Sequence, residues 1–155
     1  MFLHTKEVYH VKKTLLLFLI ALLTLALVSV AAAHECGGAP RITSLSGAEV
    51  VGGGDLDGTG FAALSLNVGQ ESICWDVTYD GISNVFAGHI HQASAGVNGG
   101  VVFPLNPLDH GCAPADRDLI RDIIANPDQF YVQLHNDEFP GGVIRGQLSN
   151  PGLSE

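Results

Sequence analysis

Two stretches in the middle of the chain alternate between apolar residues and polar or small ones. The apolar positions of the first are Ala62, Leu64, Leu66 and Val68, and those of the second are Ile73, Trp75, Val77 and Tyr79. Because successive side chains of a strand point to opposite faces, each stretch predicts a β-strand with one buried face. The residues at 67–70 predict a hairpin turn between them. Further strands are predicted near residues 85–91, 100–105, 130–135 and 143–148.

One segment has the periodicity of a helix instead. It follows Pro114, and its apolar stripe consists of Leu119, Ile120, Ile123 and Ile124. The pair Asn126-Pro127 ends this helix, because a residue that precedes proline avoids the helical conformation. The pattern as a whole predicts an antiparallel all-β domain with one short helix.

The first 33 residues have the pattern of a signal peptide. Lys12 and Lys13 precede an apolar run at 15–30, and three alanines at 31–33 offer a cleavage site. An uncleaved anchor is the alternative, since about 20 apolar residues can span a bilayer. A lipoprotein is disfavoured because Cys36 lacks small residues before it. We therefore expect a signal peptide at 1–33, a short segment at 34–44, a domain at 45–149 and a tail at 150–155.

The charge of the chain narrows the choice of partners. Cleavage after residue 33 removes three lysines and one glutamate, so the formal net charge changes from −9 to −11. Nucleic acids and anionic membranes are bound through clustered Lys and Arg, so the charge of the cleaved protein argues against both as partners. Cations and basic proteins remain compatible with this charge.

Three histidines form the strongest candidate for chemistry. His89 and His91 are one residue apart, so a strand at 85–91 directs both rings to the same face, with Phe86 and Ile90 on the other. In the strand at 130–135, His135 likewise lies opposite the apolar set, which consists of Phe130, Val132 and Leu134. If these two strands are neighbours in one sheet, the three imidazoles converge.

Converging imidazoles admit two interpretations. Three nitrogen ligands with an open position suit zinc or copper. Alternatively, the rings hydrogen-bond loop backbone as part of a structural polar network, whose other members are Asn98, Asn136, Glu138 and Arg145. Within that network, Arg145 is expected to form a bidentate pair with Glu138 or Asp137.

Other ligand sites and enzyme motifs have less support. Asp55 and Asp57 resemble the first half of a calcium loop, but the later bidentate glutamate is missing, and a glycine-rich turn explains them as well. The chain has no G-x-S-x-G, P-loop, dinucleotide or H-E-x-x-H motif. A dismutase-like enzyme needs a bridging histidine and zinc ligands besides the cluster, and His110 is the one other histidine of the domain.

Several blocks of the chain resemble the CHRD, or chordin-type, domain in its stand-alone microbial secreted form. They are GHIH at 88–91, PGGVIRGQL at 140–148, LSGAEV at 45–50 and GDLDGTG at 54–60. The chain departs from the family pattern at Ala93, where glycine is usual, and at Gly100, where proline is usual; these changes loosen the loop after His91.

The resemblance implies a fold and a compartment. The fold is an antiparallel Greek-key β-sandwich of the immunoglobulin or Cu/Zn dismutase kind, in a secreted or otherwise extracytoplasmic protein. A disulfide between Cys74 and Cys112, also implied, leaves Cys36 unpaired. For stand-alone microbial members no activity follows from the resemblance, and the function we expect first is a non-catalytic module that binds an extracellular protein or a surface component. Copper or zinc binding, with or without dismutase-like activity, is the alternative.

Overall fold

The computed structural model describes residues 37–152. The predicted signal peptide, Cys36 and the last three residues lie outside this range. Among residues 37–152, no helix is both long enough and apolar enough to cross a membrane.

The described residues form eight β-strands and one α-helix. The strands are β1 (Ala39–Ser46), β2 (Thr59–Asn67), β3 (Ser72–Asp80), β4 (Val85–Gln92), β5 (Gly100–Pro104), β6 (His110–Pro114), β7 (Phe130–Asn136) and β8 (Ile144–Gln147). The helix, α1 (Arg117–Ala125), lies between β6 and β7. Its first turn is capped by the Asp116 carboxylate, which accepts hydrogen bonds from the backbone N–H groups of Asp118 and Leu119.

All eight strands belong to one antiparallel sheet. Its order is β5-β4-β7-β8-β1-β2-β3-β6, so the chain crosses between the two halves of the sheet after β3, after β5 and after β6. The sheet curls, and apolar residues of both halves form a single core with Ile120 and Ile123 of the helix. The all-β prediction with one helix is confirmed, and the two layers of the predicted sandwich are the halves of this curled sheet.

Trp75 connects the two ends of the curled sheet. It lies on β3, and its ring packs edge-to-face on Phe103 of β5 with 5.8 Å between centroids. Its indole N–H donates to the carbonyl of Pro107 at 2.8 Å. The buried indole thus holds the β5–β6 connection against β3 by both packing and a hydrogen bond.

The alternating patterns predicted six of the strands but neither β1 nor β6. β1 begins at Ala39, within the segment expected to precede the domain, and its buried face carries Arg41 and Thr43 besides Leu45. Because two of the buried positions of β1 are polar, its sequence does not alternate between apolar and polar residues. Arg41 donates to the carbonyl of Ile124, so its buried charge faces the negative end of α1.

The disulfide implied by the resemblance is present. Cys74 of β3 and Cys112 of β6 are directly opposite each other, with Cα atoms 4.0 Å apart. Cys112 lies on an edge strand, because residues 110–114 pair with β3. Their composition, with glycine and proline, gave no strand signal.

Phe86 lies outside the core, contrary to the prediction from the sequence. The alternation predicted Phe86 on the apolar face with Ile90, but Phe86 is 60% exposed. The pairing of β4 with β7 passes from Val85 opposite Asn136 to Ala87 opposite His135, which leaves Phe86 in a bulge. The extra residue turns its side chain away from the core.

Candidate metal centre

The pairing of β4 with β7 brings the three predicted histidines together. In this register, Ala87 lies opposite His135 and His89 lies opposite Gln133. The ring centroids of His89 and His135 are 5.1 Å apart, and those of His89 and His91 are 5.6 Å apart. The third pair, His91 and His135, is separated by 5.9 Å. The three rings therefore form one cluster on a single face of the sheet.

The spacing of the ring nitrogens suits a shared ion after a small closing movement. One donor atom from each histidine can be chosen such that all three lie within 4.8 Å of one another. Two nitrogens that bind one zinc ion at about 2.0–2.1 Å are at most about 4.2 Å apart. Binding of one ion therefore requires the most distant nitrogens to approach each other, and His89 is less buried than the other two histidines.

Backbone carbonyls fix the orientation of two of the rings. His91 Nδ1 is 3.0 Å from the carbonyl oxygen of Gly99, and His135 Nδ1 is 2.9 Å from that of Pro140. Because a carbonyl only accepts, each Nδ1 carries the proton and each Nε2 presents a lone pair. Metal-binding histidines are held by the same kind of hydrogen bond from the other ring nitrogen.

Each histidine of the cluster also has a buried nitrogen without a partner. These atoms are Nδ1 of His89, Nε2 of His91 and Nε2 of His135, and none of them has a hydrogen bond in the described part of the chain. Leaving a buried polar atom unpaired costs about 1–3 kcal/mol. Three such atoms in one cluster could hold a metal ion.

Burial keeps two of the rings neutral. It is the main cause that lowers the pKa of His89, and the charges that His135 and His91 would carry lower it further. Burial likewise lowers the pKa of His91, outweighing the hydrogen bond to Gly99, which raises it. The charges of His135 and Arg145 act in the same direction as burial on His91. A neutral imidazole is the form that binds metals.

These lowered pKa values predict an acid-sensitive fold for the metal-free protein. The unfolded chain takes up protons on His89 and His91 near pH 6.5, whereas the folded chain resists them. The unfolded state then binds more protons, so the free energy of unfolding falls as the pH drops below about 6.5 and is fully retained above that value.

Urea unfolding between pH 8 and pH 5 with a chelator present measures this effect. A variant with His89→Ala and His91→Ala should have a flatter pH profile in this range. Equal slopes for the variant and the wild type would contradict the assignment.

A stack of three side chains supports the cluster from one side. The ring of Tyr131 lies parallel to that of His91, with 4.8 Å between centroids and 8° between planes. The guanidinium carbon of Arg145 is 3.5 Å from the centre of the Tyr131 ring. Arg145 is 1% exposed, so a full positive charge is buried close to the cluster.

The loop at 93–99 covers this stack and is fastened to it. Arg145 donates to the carbonyls of Val97 and Ser94, at 2.9 and 3.2 Å. The backbone N–H of Gly99 donates to the Tyr131 hydroxyl at 3.0 Å. These bonds place the Gly99 carbonyl that orients His91.

Two further residues stabilise the same loop. Gln147 donates to the carbonyl of Ala93 at 2.8 Å, so the loop is anchored at the position where the chain departs from the family pattern. Gly99 has no room for a side chain, because a Cβ would lie 1.9 Å from the carbonyl oxygen of Gln92.

The predicted pairing of Arg145 with Glu138 or Asp137 is wrong. Both acids are exposed, whereas β8 directs Arg145 inward beneath the loop at 93–99, where backbone carbonyls accept its hydrogen bonds. Asn136 instead organises the turn before Pro140: it donates to the carbonyl of Ser83 and accepts from the backbone N–H of Phe139.

The other candidate residues contribute no donor atom to the cluster. Asn98 and Glu138 are exposed and border a shallow surface depression. His110 is on β6, at the sheet edge opposite to that of β5 and β4, and it contacts Asp109 on the surface.

The described residues contain no second group of side chains that could hold a metal ion as the three histidines could. Within residues 37–152, the three-histidine cluster is the one group of three or more histidine, cysteine or acidic side chains whose donor atoms lie close together. Asp55 therefore has no third ligand beside Asp57, and its carboxylate accepts the backbone N–H of Asp57 at 3.0 Å in a local turn. The second ligand set of a dismutase is not formed in this part of the chain.

Sequence reasoning missed Tyr131, Gln147 and Gly99 as supports of the cluster. The strand pattern places Tyr131 on the same face as His135, so the signal for this residue was present. The contact between Tyr131 and His91 depends on the β4–β7 register, which places these two residues opposite each other and which the sequence pattern does not give.

Comparison with known proteins identifies the family. No curated protein and no solved structure matches the chain. A family model for the CHRD domain matches residues 42–148, which is more than half of the chain. CHRD domains are extracellular modules, in agreement with the disulfide between Cys74 and Cys112. The chain belongs to the CHRD domain family.

Proposed function

We propose that this protein is an exported, non-catalytic CHRD module that binds one copper or zinc ion through His89, His91 and His135. One observation carries the proposal: each of these side chains has a buried nitrogen without a partner, and the three rings share one cluster. The hydrogen bonds of His91 and His135 to loop carbonyls support it, because they leave both Nε2 atoms available.

The two interpretations of the histidines are therefore compatible. Hydrogen bonds to loop backbone use one nitrogen of His91 and one of His135, and metal binding uses the other. Three imidazole nitrogens leave room for a fourth ligand from solvent or from a partner molecule.

Metal content tests the proposal. Protein exported by its host and purified without a histidine tag is expected to bind about one equivalent of copper or zinc after dialysis against the ion. His91→Ala and His135→Ala should each weaken binding by at least about 100-fold, because a direct ligand contributes at least as much as the groups that orient it.

His110→Ala is the matched control, since it removes an exposed histidine on a different strand. It should leave the stoichiometry and the affinity unchanged. Far-UV circular dichroism checks that each variant is folded. Binding of the same strength by a folded triple alanine variant, or no binding by the wild type, would refute the proposal.

A second candidate function is binding of an extracellular protein or a surface component. Phe61 and Tyr79 support it, because both aromatic rings are exposed and border one surface depression on β2 and β3. Cosedimentation with a cell-envelope fraction tests it. Binding should weaken for a variant with Phe61→Ser and Tyr79→Ser, and equal binding by this variant would exclude the surface.

A further inference from the structure

We infer that the histidine cluster selects monovalent copper, Cu(I), over the divalent ions Cu(II) and Zn(II). The inference rests on the proposed function, since it concerns the ion that the same three rings prefer. Its basis is the charge around the cluster.

The ligands themselves carry no negative charge. All members of the cluster are imidazoles, and within residues 37–152 no carboxylate or thiolate joins them in a group that could share an ion. The ligands therefore do not neutralise any of the positive charge of a bound ion. His91 and His135 are 7% and 8% exposed, so water compensates little of that charge. The cost of burying an ion rises steeply with its charge, which favours a monovalent ion.

A buried positive charge lies on the same face of the sheet. The guanidinium of Arg145 covers one side of the Tyr131 ring, which in turn lies parallel to the ring of His91. Its repulsion of an ion at His91 is proportional to the charge of that ion, so a divalent ion experiences twice the repulsion of a monovalent one.

This positive charge is weakly neutralised. The hydrogen bonds of Arg145 go to the neutral carbonyls of Val97 and Ser94 and to the amide oxygen of Gln147. Glu49 is the acid that acts on it electrostatically, but Glu49 is exposed and forms no ion pair with it among the described residues. Solvent therefore screens Glu49 far more than Arg145.

The number of ligands agrees with the charge argument. Zinc with three protein ligands takes a fourth ligand from solvent or substrate, and the described residues offer three nitrogens. Cu(I) is satisfied by two or three nitrogen ligands. The three rings thus complete the ligand shell of Cu(I), whereas Zn(II) needs a fourth ligand from solvent or from a partner molecule.

Competition with chelators measures the preference. Cu(I) is supplied with ascorbate under argon and competed with bicinchoninate, and Zn(II) and Cu(II) are competed with chelators of known affinity. Ascorbate is chosen because thiol reductants would open the disulfide between Cys74 and Cys112. We expect the dissociation constant for Cu(I) to be at least about tenfold lower than that for either divalent ion. Tighter binding of Zn(II) or Cu(II) than of Cu(I) would overturn the inference.

Substitution of the buried cation tests its cause. Arg145→Gln should shift the preference towards divalent ions by roughly threefold to tenfold and lower the reduction potential of bound copper, whereas Arg145→Lys, which keeps the charge, should shift both less. If folded Arg145→Gln protein keeps the wild-type ratio of Cu(I) to divalent-ion affinity and the wild-type reduction potential of bound copper, the inference is overturned.

An exposed position provides the same test without altering the buried side chain. Ser94 is exposed, and its carbonyl accepts from Arg145. Ser94→Glu should shift the preference in the same direction as Arg145→Gln, and Ser94→Gln is the neutral control. If Arg145→Gln does not fold, the Ser94 variants decide. An equal ratio of the Cu(I) and divalent-ion dissociation constants in Ser94→Glu and Ser94→Gln would then overturn the inference. The absence of binding of all three ions to the wild type would instead refute the proposed function.

Discussion

Replacing both Cys74 and Cys112 with alanine should lower the free energy of unfolding by about 4 kcal/mol. The two cysteines are 38 residues apart in the chain, so their bond restricts a long loop in the unfolded state. The loss corresponds to a decrease of roughly 10–20 °C in the melting temperature of a domain of this size. Urea unfolding of the variant and the wild type at one pH measures the difference.

Chemical reduction of the wild type is the control for this variant. Wild-type protein unfolded in the presence of a thiol reductant should match the double alanine variant in oxidising buffer. A difference below about 1 kcal/mol between variant and wild type would show that the bond contributes little beyond the pairing of β3 with β6.

Trp75→Ala should have an effect of similar size, about 3–5 kcal/mol of unfolding free energy. Trp75 is buried, and it joins β3 to Phe103 and to the carbonyl of Pro107. Its loss opens a cavity where the two ends of the curled sheet meet, and it leaves that carbonyl without its donor. Thermal unfolding by circular dichroism measures the change.

Trp75→Phe separates packing from hydrogen bonding. This variant keeps an aromatic ring but loses the indole N–H, so we expect a cost of about 1–2 kcal/mol. If Trp75→Ala and Trp75→Phe destabilise the protein equally, the hydrogen bond rather than the packing holds the sheet closed.

The fold could be predicted wherever one face of a strand is apolar and the other polar. β2 and β3 follow this rule from Ala62 to Val77. β1 does not, because Arg41 lies on its inner face and is stabilised by the end of α1, a contact between residues 83 positions apart. Alternation cannot reveal a strand whose buried polar residue depends on so distant a partner.

The candidate site was predictable in its members but not in its surroundings. The spacing of His89 and His91 fixes their common face, and the pattern of β7 places His135 on the corresponding side. The loop carbonyls of Gly99 and Pro140 leave no trace in side-chain chemistry. The partners of Arg145 could not be predicted either. Its charge suggested an acidic partner, but its guanidinium donates to backbone oxygens.

The two edge strands of the curled sheet limit self-association. β5 and β6 are five residues long, and each ends in a proline, Pro104 and Pro114, which has no backbone N–H to offer another chain. β6 is also fixed to β3 through Cys112. Short edges of this kind resist the addition of further strands. The described domain is therefore poorly suited to seed amyloid-like fibres.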